Sequence, residues 1–314
     1  MTLLVDITVW NPVPWVTRFR ELLPGRSVLT PRDTFDPAAV RYAAVWKHKA
    51  GGLQGLPNLA AIFSLGAGVD HVFADPDLPA VPIARVVDAD LRDRMSEWVV
   101  LHVLVHHRAQ HMYDWQQQQK IWEDDPNQPL ARDVRVGLMG LGVMGADAAR
   151  KLKAIGFDVA GWSRAARSVP GIECFAGRAE LPAFLTRTDI LVCLLPLTPE
   201  TRGIIDAALI RQLARDGRLG GPILLNAGRG GLQVERDILA CLDEGTLKAA
   251  TLDVFETEPL PQASPLWHHP RVTVTPHNAG ISEPRSVAAY VVRQIEAFEQ
   301  GGQIENIVDP RRQY

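Results

Sequence analysis

The sequence predicts an α/β protein built on two parallel-sheet regions, the second of them doubly wound, and three observations carry that prediction. Short apolar runs alternate with stretches of helical period along most of the chain. One apolar run closes on the glycine pattern Gly140-Leu141-Gly142-Val143-Met144-Gly145, and a helical stretch follows it. The 314 residues are roughly two domains' worth at about 150 residues each.

The first third supplies strands at Leu3 to Val9, Ala43 to Trp46, Leu59 to Ser64 and Pro82 to Val86, with helical patterns between them. From about Ser96 to Gln119 neither Pro nor Gly occurs. Trp98, Val99, Leu101, Val105, Met112 and Trp115 recur there mainly at three- and four-residue steps, which predicts one long helix. The polar, proline-punctuated stretch Asp124 to Pro129 ends it in an exposed loop. Strands follow at Val134 to Leu138, Asp158 to Trp162, Ile190 to Leu195, Ile223 to Asn226, Ala249 to Val254 and Val272 to Thr275. Six buried strands with helices between them make a doubly wound parallel sheet. A last helix is expected from Ser282 as N-cap, with Pro284 in its first turn, to Gln300, returning the chain to the first region.

Composition narrows the function. With 46% hydrophobic and 22% charged residues the chain reads as an ordinary globular protein. Lys and Arg number 33 against 36 Asp and Glu, so no overall positive field recommends nucleic acid or anionic lipid as a partner. The longest uncharged apolar stretches, such as Val99 to Val105, fall below half the ~20 residues of a membrane span. Asp6 interrupts Leu3-Leu4-Val5 and no basic segment precedes it, so no secretory signal is expected. Cys174, Cys193 and Cys241 are odd in number and widely spaced, which suits a reducing cytoplasm and fits no zinc pattern.

The glycine pattern has a mechanical reading. Gly140 makes a tight turn, Gly142 lets the backbone approach a pyrophosphate, and Gly145 lets helix and strand pack closely, with the helix N-terminus facing the anion. In its strand-turn-helix setting this predicts a dinucleotide-binding Rossmann domain; the alternative is a glycine-rich turn with no ligand. About 20 residues on, such folds usually present a carboxylate to the adenosine ribose. Here Gly161-Trp162-Ser163-Arg164-Ala165-Ala166-Arg167 presents a hydroxyl and two guanidinium groups instead. Ser163, Arg164 and Arg167 favour a ribose 2′-phosphate, making NADP(H) the preferred cofactor over NAD, unless the arginines are merely solvated.

Arg229, Glu258 and His277 each follow the C-terminal end of a predicted strand, the edge at which parallel sheets bind ligands. Reduction of a 2-keto acid needs a cation for the carboxylate, a proton donor for the carbonyl oxygen, and a group keeping that donor protonated. Arg229, His277 and Glu258 fill these roles in turn, since a carboxylate beside an imidazole favours the protonated ring and orients it. The bland reading is three solvated loop residues.

At these residues the sequence resembles the D-2-hydroxyacid dehydrogenases, and within them the glyoxylate/hydroxypyruvate reductase A type. The matching segments are Ser64 to Asp70, Gly140 to Gly145, Leu195 to Thr201, Asn226 to Gly230, Asp253 to Pro261, and Ser264 to Trp267 through His277 to Gly280. The resemblance implies that Arg229 binds substrate, that His277 is the acid/base, and that Glu258 is its partner. It implies a nicotinamide-facing aspartate at Asp253 and cofactor contacts from Leu195, Pro196, Thr201, Ala227, Gly228 and Ala279. It also gives the substrate carboxylate to the backbone amides of Leu65, Gly66, Ala67 and Gly68, otherwise an ordinary strand-ending turn, and makes Trp46 a pocket wall, otherwise a core tryptophan. By the same resemblance the long helix helps to form a homodimer. The expected organisation is a flavodoxin-like substrate domain at residues 1–98 and 286–314, a Rossmann domain at residues 99–285, and an active site in the cleft.

Other signals are weaker. His102, His106, His107 and His111 form two i, i+4 pairs, but the pairs are offset by about 100° around the helix and no metal site is expected. His268 and His269 read as structural or exposed loop residues. Two rival functions are a cofactor-sensing binding protein, disfavoured by the presence of Arg229, Glu258 and His277 together, and a 3-hydroxyacid dehydrogenase, in which the glycine motif would open the chain.

Overall fold

The computed structural model describes residues 2–314. Two compact units emerge, one comprising the chain through Leu91 together with Ser282–Tyr314, the other Arg92–Ile281. The chain starts with β1 (Thr2–Ile7), α1 (Val13–Leu22), β2 (Ser27–Leu29), β3 (Val40–Trp46), β4 (Ala61–Ser64), α2 (Asp70–Phe73) and β5 (Ile83–Ala84). The helices α3 (Ala89–His107) and α4 (Gln110–Gln119) lead on to β6 (Arg135–Met139), α5 (Val143–Ile155), β7 (Asp158–Ser163), β8 (Glu173–Ala176) and α6 (Gly177–Thr186). Then come β9 (Ile190–Cys193), α7 (Ala207–Ile210), β10 (Ile223–Asn226), α8 (Glu235–Asp243), β11 (Ala249–Leu252) and β12 (Val272–Val274), and α9 (Pro284–Glu299) returns to the first unit.

In the first unit the strands run parallel in the order β2-β1-β3-β4-β5, the flavodoxin-like arrangement. Alternation along each strand divides the apolar residues between two faces. Leu3, Val5, Tyr42, Ala44 and Phe63 meet Trp15 and Phe19 of α1 and Val287, Val291 and Ile295 of α9. Leu4, Ala43, Val45 and Ile62 meet Leu53, Val69 and Val72 on the other side.

The second unit has seven parallel strands in the order β12-β11-β10-β9-β6-β7-β8. Chain order reverses between β6 and β9, the switch point at which a doubly wound sheet opens a crevice. Val136, Leu138, Ile190 and Leu225 pack on Ala148 and Leu152 of α5 and on Val99 and Val103 of α3, while Met139, Leu191, Leu224 and Leu252 pack on Ile238 and Leu242 of α8.

Three expectations from the sequence are corrected. The second sheet holds a seventh strand, β8, and the first holds β2; both are three or four residues long, lie at sheet edges and are only partly buried, so neither carries a long apolar run. The single helix expected from Ser96 to Gln119 is two helices, because Ala109 adopts the left-handed conformation at φ 50°. Tertiary contacts fix that break: the Gln128 side-chain amide donates to the His107 carbonyl, and the His107 ring packs edge-on to Phe157. Glu283, not Ser282, is the N-cap of α9, without a side-chain capping bond. Pro284 at the first helical position supplies a pre-set φ in its place.

Candidate active site

The glycine turn after β6 is defined by backbone crowding. Gly140 sits at φ 107°, and a Cβ there would lie 2.8 Å from the Leu194 carbonyl oxygen. A Cβ on Gly145 would stand 1.8 Å from the Gly140 oxygen, so α5 meets the turn main chain to main chain. Leu141 is tucked against Gly161 of β7, whereas Gly142 and Val143 are exposed and Met144 is partly so. Gly142 caps α5 with no side-chain acceptor and looks onto open space. The N-terminal amides of a 13-residue helix thus face a cradle of the kind that fits a pyrophosphate, and the residues present fit a dinucleotide.

At the end of β7 the Ser163 hydroxyl donates to the Ala165 carbonyl at 2.7 Å and shapes the turn that exposes Arg164 and Arg167. A further arginine, Arg178, belongs to this neighbourhood. The Glu200 carboxyl lies below its ordinary range through the Thr198 hydroxyl, with the positive charges of Arg164 and Arg178 adding to the effect. Arg178 lies in the first turn of α6, directly after the unanticipated strand β8, which is why the sequence did not single it out. Leu195 is buried and Pro196 exposed; Thr201 donates to the Pro196 carbonyl at 2.7 Å and accepts from the Thr198 amide at 2.8 Å, closing this loop on itself.

Arg229, Glu258 and His277, the three residues the sequence singles out for chemistry, follow β10, β11 and β12. After β10, the Asn226 side chain accepts from the Gly228 amide at 3.1 Å and donates to the Arg229 carbonyl at 3.1 Å and to Gln233 at 2.8 Å. Gln233 in turn donates to the Val254 carbonyl at 2.9 Å. Arg229 itself donates to the Gly228 carbonyl at 2.8 Å, and Ala227 joins β9 through the Cys193 carbonyl. A Cβ on Gly230 would lie 1.8 Å from the Phe255 oxygen, so the turns bearing Arg229 and Glu258 touch backbone to backbone. Asn226 and Gln233 hold that junction; Gln233 carried no sequence signal of its own.

His277 Nδ1 and Glu258 Oε2 are 2.9 Å apart, both side chains partly exposed, at 33% and 23%. The pair leaves Nε2 as the ring atom opposite the carboxylate, oriented as a proton donor requires. His277 is left-handed at φ 53°, a conformation that a non-glycine residue holds only when its surroundings impose it. Asp253 imposes it. Its carbonyl accepts the His277 amide at 2.8 Å, and its buried carboxylate accepts the Thr275 hydroxyl at 2.6 Å and the Asn278 and Ala279 amides at 2.9 and 3.0 Å. Trp98 of α3 donates its indole N–H to that same Thr275 oxygen at 3.2 Å.

In the first unit, Leu65 is buried and Ala67 and Gly68 are partly exposed. The Ser64 hydroxyl donates to the Gly66 and Gly68 carbonyls at 3.1 and 2.9 Å, while among the described residues the Ala67 and Gly68 amides donate to no protein acceptor. Such a turn suits an anion. Trp46 is 8% exposed, stacked on Trp10 at 4.5 Å and against His71 at 4.3 Å.

Two of the helical histidines have hydrogen-bond partners. His106 meets the Thr251 hydroxyl at 2.8 Å, and burial pushes its pKa down to about 3; His111 meets Thr273 at 3.1 Å. Among the described residues no cluster of His, Cys, Asp and Glu could hold a metal ion, and no helix is long and apolar enough to cross a membrane.

A doubly wound dinucleotide fold with Arg, Glu and His at three adjacent strand ends defines a dehydrogenase. The model for the D-isomer specific 2-hydroxyacid dehydrogenase NAD-binding domain matches residues 100–279, and the chain belongs to that family of oxidoreductases. It is 41% identical, over 99% of its length and 100% of the relative's, to glyoxylate/hydroxypyruvate reductase A of Escherichia fergusonii. An NADPH-dependent glyoxylate/hydroxypyruvate reductase from Sinorhizobium meliloti, solved with NADP and sulfate, matches at 47% identity and a TM-score of 0.95, covering 100% of this chain and 99% of that one. A probable 2-hydroxyacid dehydrogenase from Rhizobium etli, solved with NADP, HEPES and L(+)-tartaric acid, matches at 44% and 0.94 with the same coverage.

Proposed function

We propose that this protein catalyses the NADP(H)-dependent reduction of a small 2-keto acid, of the glyoxylate and hydroxypyruvate class, to the D-2-hydroxy acid. The observation that carries the reading is the 2.9 Å pairing of His277 with Glu258 on the strand edge that also bears Arg229. A nicotinamide held there would supply the hydride to the carbonyl carbon, or take it from the carbinol carbon in the reverse direction. Arg229 holds the substrate carboxylate with its planar guanidinium, assisted by the amides of the Leu65 to Gly68 turn. His277 donates a proton from Nε2 to the carbonyl oxygen as the carbon is reduced, and takes it back in the reverse direction. Glu258, on Nδ1, orients the ring and stabilises its charged form.

The 2′-phosphate is assigned to Arg164 and Arg167, the pyrophosphate to Gly140 through Gly145, and the nicotinamide end to Asp253 and Ala279. NAD serves as the weaker cofactor. A homodimer belongs to the same proposal, supported by the exposed side chains of Leu101, Trp115, Trp122 and Leu130 on and after α3 and α4. So does a cytoplasmic location, in keeping with free cysteines at 174, 193 and 241. Initial rates with a keto-acid panel and both cofactors test the activity, and light scattering tests the dimer. No turnover of any 2-keto acid with NADPH would overturn the reading.

A further inference from the structure

We propose that His71 is the positioning residue of the keto-acid site, a bridge that locks the Gly66–Gly68 turn to the Trp46–Lys47 strand end. This rests on the reading above that the turn receives the substrate carboxylate. His71 lies on α2, a single helical turn just beyond that loop. Its Nδ1 accepts the Lys47 amide at 3.0 Å, so Nδ1 carries no proton and the ring hydrogen sits on Nε2. Nε2 is 3.1 Å from Ser64 Oγ. The Ser64 oxygen must therefore accept from the ring, and its own hydrogen is directed to the carbonyls of Gly66 and Gly68. Donors thus run from the Lys47 amide through ring and hydroxyl to the carbonyls of the turn, while the Gly66 amide points back onto the same Ser64 oxygen at 3.4 Å.

This orientation has a consequence for binding. In a trans peptide the N–H points opposite the C=O. Pulling the Gly66 carbonyl onto Ser64 turns the Ala67 amide the other way, and that amide has no protein acceptor among the described residues. The same ring also lies 4.3 Å from Trp46, whose six-membered ring lies so close to Gly66 that a Cβ there would stand 2.4 Å from it. Lys47, which gives up its amide to His71, is held left-handed at φ 47°. One imidazole thus sets the direction of the turn's amide, the seat of Trp46 and the exit of β3.

The test separates binding from chemistry. His71→Phe keeps an aromatic ring on Trp46 and removes both hydrogen bonds; the KM for glyoxylate or hydroxypyruvate should rise about tenfold or more, with kcat and the KM for NADPH within about twofold. His71→Asn, which returns an acceptor near the Nδ1 position, should recover a substantial part of that loss. Ser64→Ala cuts the bridge from its other end with a small, readily tolerated change and should reproduce the same selective rise, whether or not the Phe variant folds. An unchanged keto-acid KM in Ser64→Ala, or equal losses in kcat and NADPH affinity, overturns the positioning role. Arg229→Lys serves as the control: if it leaves keto-acid kcat/KM unaltered, the underlying substrate assignment fails, whereas a loss there beside an intact Ser64→Ala defeats only the role of His71.

Discussion

Asp253 holds His277 in place from both its main chain and its side chain: the His277 amide ends on the Asp253 carbonyl at 2.8 Å, and the amides of the next two residues end on the Asp253 carboxylate. A left-handed non-glycine residue costs on the order of 1–3 kcal/mol, and these bonds offset it. The buried aspartate thus acts on the loop whatever contact it makes with the cofactor.

Removing the proposed acid gives the sharpest outcome. His277→Ala should lower kcat for keto-acid reduction by about 10²–10⁴-fold, while NADPH binding followed by fluorescence titration persists. Turnover near that of the unmodified protein would take His277 out of the mechanism.

Thr275→Val tests the support beneath it. The substitution conserves shape but deletes the hydroxyl that donates to Asp253 at 2.6 Å and accepts from Trp98 at 3.2 Å. Displacing the His277 loop slightly should cost about 10- to 100-fold in kcat, with cofactor affinity changed far less. Wild-type kcat in the variant would show that the loop holds without the hydroxyl.

Cofactor choice is tested by replacing Arg164 and Arg167 together with Ala. Two charge-assisted contacts at an exposed turn should favour NADPH by about one to three orders of magnitude, so the KM for NADPH should rise strongly and that for NADH hardly move. Equal use of both cofactors by the unmodified protein would defeat the assignment. Arg178→Ala should raise the KM for NADPH in the same direction, and an unchanged value would remove Arg178 from the surroundings of the phosphate.

One prediction concerns stability and pH. Burial raises the Asp147 carboxyl, but hydrogen bonds from Lys151, Ser96 and Arg150 outweigh it and bring the pKa from 3.8 down to about 2. The Ser96 hydroxyl and the Lys151 ammonium sit 2.7 and 2.8 Å from it, tying α3 to α5. Because the folded value lies below the unfolded one, this stabilisation, on the order of 2 kcal/mol, is complete above about pH 4 and is lost as pH falls towards 2. Asp147→Asn should therefore lower Tm at pH 7, with the gap to the parent closing between about pH 4 and pH 2. A pH-independent gap would mean that the carboxylate's charge is not what matters.

The buried central strands and the glycine turn were legible because each imposes its own residue types: continuous apolar runs for Ile190 to Cys193 and Ile223 to Leu225, and glycine where a Cβ would strike the backbone. The edge strand at Glu173–Ala176 was not, since half-exposed residues leave no periodic mark. The break at Ala109 depends on Gln128 and Phe157, distant in sequence. At the site, Arg229, Glu258 and His277 could be picked out by residue type at strand ends. Gln233, Arg178 and the bridging function of His71 could not, because their significance comes from partners that only the folded chain supplies.

On the proposed assignments, the strand order separates two kinds of task. Arg229, Glu258 and His277 follow β10, β11 and β12, one flank of the sheet, whereas Arg164, Arg167 and Arg178 follow β7 and β8 on the other, with β6 and β9 between them. Well-separated residues with no shared partner contribute nearly additively. Selection, or an engineer, can therefore retarget such a chain to a different pool of reducing equivalents by rewriting one edge of the sheet, leaving the chemistry at the opposite edge to evolve at its own pace.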